Sequence, residues 1–165
     1  MGNLEFVRVE KDKIEIGNKY LSNEDKRNKN LRQDYFYDKK KKRLREELMT
    51  SEGENIAKLF KKNGLTKSQL RAFYNEVKAL KNKLDGNKNN FESIYISILM
   101  LLSKVEYRAK DNSLSGLKEF IKMGVYYIKE EYNENEKNGI KAFENFALFF
   151  EVVVGYTYGK KLKEN

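Results

Sequence analysis

LTKSQLRAFYNEVK, residues 65–78, carries two periodic patterns at once. Leu70, Phe73 and Val77 recur at helical spacing, and Leu80 and Leu84 continue the series. Lys67, Arg71 and Lys78 form a second series. Thr66 and Gln69 make a T-x-x-Q capping box at the start, so a helix is predicted from about Thr66 to Leu84. At about 100° per residue, the apolar series clusters on one arc, and Lys67, Arg71 and Lys78 cluster about 120° away, flanked by Lys81. Glu76 is the one acid between Thr66 and Leu84, so pairing within the helix leaves most of the cationic row uncompensated.

The rest of the chain is consistent with a helical protein. Its 165 residues suit one core, 39% are hydrophobic, and there is no proline to break helices. Ser51 and Glu54 match an S-x-x-E box, Ile56, Leu59 and Phe60 follow, and Gly64 is placed to end that helix. After the DGNKNN turn, Asn90 is positioned to cap a third helix carrying Phe91, Ile94, Tyr95, Ile98, Leu99, Leu101, Leu102 and Val105. Ile96 and Met100 make this helix apolar almost all round, which predicts a central place in a bundle. Ser113 or Ser115 opens a fourth helix with Leu117, Phe120, Ile121, Gly124 and Ile128, and YNENEKNG at 132–139 reads as a loop. A fifth helix runs from about Ile140 to Tyr156 on Phe143, Phe146, Ala147, Phe150, Val153 and Val154, before a cationic tail.

The expected fold class is therefore all-α, a compact bundle of about five helices over residues 49–165. Residues 1–48 read as a charged extension of uncertain structure. Alternation at Val7 and Val9, then Ile14 and Ile16, suggests short extended pieces that need something to dock on. Residues 22–47 read as a disordered arm or an exposed helix, with YFY at 35–37 as a docking point.

Composition excludes several chemistries. With no Cys and no His, thiol catalysis, disulfides, Cys/His metal sites and imidazole acid–base chemistry are all absent. The adjacent pairs Glu46/Glu47 and Glu130/Glu131 point to different sides of a helix and do not make a carboxylate pair. No P-loop spacing occurs. No catalytic residue, metal ligand or cofactor is therefore expected. With no signal segment and no run long enough to cross a bilayer, the chain reads as a cytoplasmic protein.

Charge is more informative than catalysis. The chain carries a formal net charge of +9. Residues 58–110 hold 12 Lys/Arg against 4 Asp/Glu, so nearly all of the excess lies in the middle third. A second basic group, Lys104, Arg108 and Lys110, ends the third helix. If the third helix runs antiparallel to the second, Lys104 and Arg108 come beside Lys67 and Arg71. One basic strip would then combine Lys67, Arg71, Lys78, Lys104, Arg108 and Lys110. Such a strip suits a nucleic-acid backbone. A solvated face, or cations attracted to a helix C-terminus, would look the same in sequence.

Three segments, in order, resemble a known family. LTKSQLRAFYNEVKAL at 65–80 is similar to the L-T-x-S-Q-[IL]-R-x-F-Y motif of the small helical subunit of type III-A CRISPR effector (Csm) complexes. LLSKVEYRAKD at 101–111 and FENFALFFEVVVGYTYG at 143–159 are similar to two later segments of that family. Ser103 stands where the family often has Pro, and Gly155 where Ala is usual. The resemblance spans about 49–159. It implies a non-catalytic subunit present in several copies along the complex, beside the guide RNA–target RNA duplex and the large catalytic subunit. It also implies that Lys67, Arg71, Lys104 and Arg108 touch RNA; Lys78 and Lys110 join them on the charge argument. Two other readings stay open: a helix-turn-helix DNA-binding regulator, and a basic adaptor that meets an acidic protein.

Overall fold

The computed structural model describes the backbone of residues 7–10, 13–16 and 37–38, and the whole of residues 40–110 and 112–159. Within it, β1 (Val7–Glu10) pairs antiparallel with β2 (Lys13–Ile16), and β3 (Tyr37–Asp38) with β4 (Arg43–Leu44). Five α-helices follow: α1 (Ser51–Asn63), α2 (Lys67–Gly86), α3 (Phe91–Arg108), α4 (Ser115–Glu134) and α5 (Glu136–Gly159). The fold is the all-α bundle that the apolar periodicity predicts.

The first hairpin aligns Val7 with Ile16 and Val9 with Ile14. Its strands run beside α1 and α4, which supplies the docking surface a lone hairpin needs. The arm at 17–36, including Tyr35 and Phe36 of the expected docking point, and the tail beyond Gly159 lie outside the described residues.

The body of the bundle includes residues ahead of α1. Leu44 and Leu48 are buried in the main core. Arg45 donates to the Glu52 carboxylate at 2.8 Å, and Tyr156 near the end of α5 donates its hydroxyl to the Met49 carbonyl at 3.1 Å. The predicted Ser51–Glu54 capping box does not form. Thr50 occupies the cap position without a side-chain cap bond, and Ser51 is already helical. The Thr50 hydroxyl turns back to the Glu46 carbonyl instead, at 3.1 Å. A 3₁₀ turn at Glu46–Met49 precedes α1, and Thr50, at φ −124° and ψ −105°, is the one non-helical residue between them.

The end of α1 follows the prediction. Gly64 has φ of 79°, a left-handed conformation that favours glycine. Its N–H donates to the Lys61 carbonyl at 3.0 Å, while the Leu65 N–H donates to the Phe60 carbonyl at 3.1 Å. This is a Schellman closure, and Leu65 is buried beside it.

The centre of the bundle is α5, not α3. α5 packs on α1, α2 and α4 and buries Phe143, Phe146, Phe149, Phe150 and Val153. The Phe120 ring of α4 lies 5.6, 5.3 and 5.1 Å from those of Phe146, Phe149 and Phe150, and 5.9 Å from Phe60 of α1. α4 and α5 approach so closely at Gly124 that a Cβ there would lie 2.1 Å from Phe146 Cε2. α3 packs on α2 and α4 and leaves Ile96 and Met100 about half exposed. Its extra apolar residues therefore do not mark the centre.

The predicted loop at 132–139 is also corrected. α4 continues to Glu134, and α5 begins at Glu136. Asn135 alone is extended, at φ −169° and ψ 163°. Its side-chain oxygen accepts from the Asn138 N–H at 2.8 Å, so one residue ends α4 and caps α5. Glu, Lys and Asn look loop-like in composition, but Glu and Lys are good helix formers.

Candidate nucleic-acid interface

α2 is placed by its first turn. The Thr66 N–H donates to Gln69 Oε1 at 2.9 Å and the Gln69 N–H to Thr66 Oγ1 at 3.2 Å, completing the predicted box. The Gln69 amide also donates to Ser113 Oγ at 3.2 Å. That bond fixes the start of α2 against the α3–α4 connection. Leu70, Phe73, Val77, Leu80 and Leu84 are all buried.

α3 runs antiparallel to α2. Along α2 the partners are Gln69 with Ser113, Phe73 with Arg108, and Glu76 with Lys104. As one helix advances, the other retreats. Lys104 Nζ lies 2.7 Å from Glu76 Oε1. The Arg108 guanidinium carbon stands 5.1 Å from the centroid of the Phe73 ring, within cation–π range. The two α3 cations thus meet α2 at Phe73 and Glu76, about two turns beyond its N-terminus, rather than at Lys67. Lys110 sits past the end of α3, with its ammonium 4.9 Å from the Tyr107 ring.

The α5 side of α2 carries Arg71, Lys78 and Lys81. The Arg71 guanidinium is 5.8 Å from the Tyr158 ring, and Lys78 Nζ is 5.8 Å from the Tyr74 ring. Both residues are exposed, and Lys67 is half-buried. Lys81 is held by Asp85 at 2.6 Å. Below this row, an open groove of about 450 Å³ separates α2 from α5, lined among others by Tyr74, Lys78, Lys141, Leu148 and Glu151. Burial and the Glu151 charge push the Tyr74 phenol above its usual range.

The six cations named from sequence therefore do not form one strip. Arg71 and Lys78 edge the α5 side of α2, while Lys104 and Arg108 edge its α3 side. Between them α2 exposes Ser68, Ala72, Asn75, Ala79 and Asn82, all small or neutral. Sequence periodicity found the first row. It missed that Glu76 faces α3 and neutralises Lys104, because that pairing is set by how the two helices pack.

Other chemistry is sparse. No cluster of three or more acidic side chains suited to a metal ion occurs among the described residues. No helix among them is long and apolar enough to cross a membrane. An all-α bundle with cations along both edges of one exposed helix belongs to the class of small basic helical proteins. A family model described as Csm2 Type III-A matches residues 43–161. The chain belongs to that family and is a small subunit of type III-A CRISPR complexes. No curated protein and no solved structure matches it.

Proposed function

We propose that this subunit is non-catalytic and binds the RNA backbone, of the target strand or the guide–target duplex, through the two basic edges of α2. Sequence discrimination then falls to guide–target pairing, and the protein supplies charge and shape. The observation that carries the reading is the Arg71–Lys78 row. Both side chains are exposed, each lies beside an aromatic ring, and neither has a salt-bridge partner among the described residues. Cations placed this way are available to phosphate oxygens and carry no base information. Lys67, Arg108 and Lys110 extend the surface at the same end of the bundle. The partners are guide and target RNA, other subunits of the effector including the large catalytic one, and further copies of this chain. The setting is the cytoplasm, in antiviral defence.

The test is charge reversal at exposed positions. Arg71→Glu with Lys78→Glu is expected to weaken binding of the purified chain to single-stranded RNA without lowering the thermal midpoint. Unchanged RNA binding in a folded double variant refutes the assignment. Tight preference for one DNA duplex over bulk RNA would instead support a DNA-binding regulator.

A further inference from the structure

Glu76 is the only acid of α2 before Asp85, and it sits within the basic region. Its Oε1 takes the Lys104 ammonium at 2.7 Å, while its Oε2 is buried with no hydrogen-bond partner among the described residues. A carboxylate with one buried orphan oxygen is an unfavourable arrangement. The Lys104 and Glu76 side chains are 39% and 32% exposed, and ion pairs this accessible add little to stability. Fold stability therefore gives a weak account of the pair. Its clear consequence is electrostatic: Lys104 is neutralised in the free protein, whereas Arg108, one turn further along α3, rests on the Phe73 ring.

We infer that Glu76 is a positioning residue that sets RNA affinity, acting as an internal counterion that a phosphate must displace to reach Lys104. The inference rests on the proposed reading of α2 and α3 as an RNA surface. In the free state Lys104 is held by Glu76; in the bound state its ammonium turns to a phosphate oxygen and the Glu76 carboxylate returns to water. The cost of parting the pair keeps backbone binding moderate. Removing Glu76 releases Lys104 to hold a solution counterion, which phosphate then displaces, and counterion release makes binding stronger and more salt-dependent.

The experiment is a double-mutant cycle on the full chain, reading fluorescence anisotropy of a labelled single-stranded RNA across a salt series. Glu76→Gln is expected to raise affinity about two- to fivefold, the worth of a part-exposed ion pair. It should also steepen the log–log salt slope by about 0.7. In a Lys104→Met background the same substitution should lose most of its gain. Glu76→Asp keeps the charge but withdraws the carboxylate by one methylene, and should give a smaller gain in the same direction. Unchanged or weaker binding by Glu76→Gln overturns the inference. An equal gain with and without Lys104 also overturns it, since Glu76 would then act only as a repulsive charge. The Arg71→Glu/Lys78→Glu variant separates the two levels. If that variant loses RNA while Glu76→Gln changes nothing, only the role of Glu76 fails. If that variant keeps RNA, the RNA reading itself fails.

Discussion

Asn63, the last residue of α1, caps α4: its side-chain oxygen accepts the Gly116 N–H at 2.9 Å and the Ser115 hydroxyl at 3.3 Å. The residue at α4's own cap position, Leu114, has no side chain able to do this. A helix start is thus satisfied by a residue 53 positions earlier in the chain. The close packing leaves no room for a side chain at position 116, where a Cβ would lie 2.6 Å from Asn63 Oδ1.

Replacing Asn63 with Ala removes this acceptor. The expected loss is about 1 kcal/mol of stability, as for other lost caps. For a chain of this length it corresponds to a fall of about 2–4 °C in the thermal midpoint. Asn63→Asp retains the oxygen and should recover most of the loss. Calorimetry of both variants decides it: equal midpoints for Ala and wild type would mean the cap contributes nothing.

Gly124→Ala introduces a methyl where Phe146 already stands, 2.1 Å from its Cε2. Overpacking of this kind costs about 1–3 kcal/mol. Adding Phe146→Leu should return part of that loss, because the two sites share one space. Urea unfolding of the two single variants and the double variant measures the coupling, and strict additivity would contradict the close approach of α4 and α5.

Tyr132 donates its hydroxyl to the Glu92 carboxylate, tying the end of α4 to the start of α3. That bond, followed by burial and the Glu92 charge, pushes the phenol up to about 12 from its ordinary 10.0. A raised folded pKa means the folded chain holds this proton more tightly. The contribution is complete below pH 10 and disappears as pH rises through about 12. Tyr132→Phe should therefore flatten that part of the alkaline stability profile. Phenolate absorbance during titration, compared between wild type and variant, identifies the missing late-titrating group.

The two edges of α2 should respond differently to neutralisation. Arg71→Ala and Lys78→Ala each remove a cation without a salt-bridge partner among the described residues, and each should reduce the salt slope of RNA binding by about 0.7–0.9. Lys104→Met should reduce it less, because Glu76 already cancels that charge. Anisotropy titrations over a salt series rank the three, and an equal effect from Lys104→Met would show that the Glu76 pair is broken in solution.

Local chemistry was legible wherever it depends on neighbours in the chain. Leu70, Phe73, Val77, Leu80 and Leu84 are all inside, as their spacing requires, and the Thr66–Gln69 box and the Gly64 stop are formed. Local pattern failed where another element competes. Thr50 bonds back to Glu46 and leaves the Ser51 box unused. Asn135 alone does the work expected of an eight-residue loop. Ile96 and Met100 are apolar yet exposed, because α5 rather than α3 takes the middle position.

For the candidate interface the division is similar. Residues 65–84 alone determine an amphipathic helix with cations on its wet side, since a 3.6-residue period converts sequence spacing into faces. The family motifs likewise lie in the sequence, over residues 43–161. Only the tertiary structure decided that the cations separate into two edges, that Arg108 rests on Phe73, and that Lys104 is held by Glu76. Those relationships join residues 28 or more positions apart. Helix crossing and register set them, and no spacing along a single helix encodes which cation meets which acid across a helix pair.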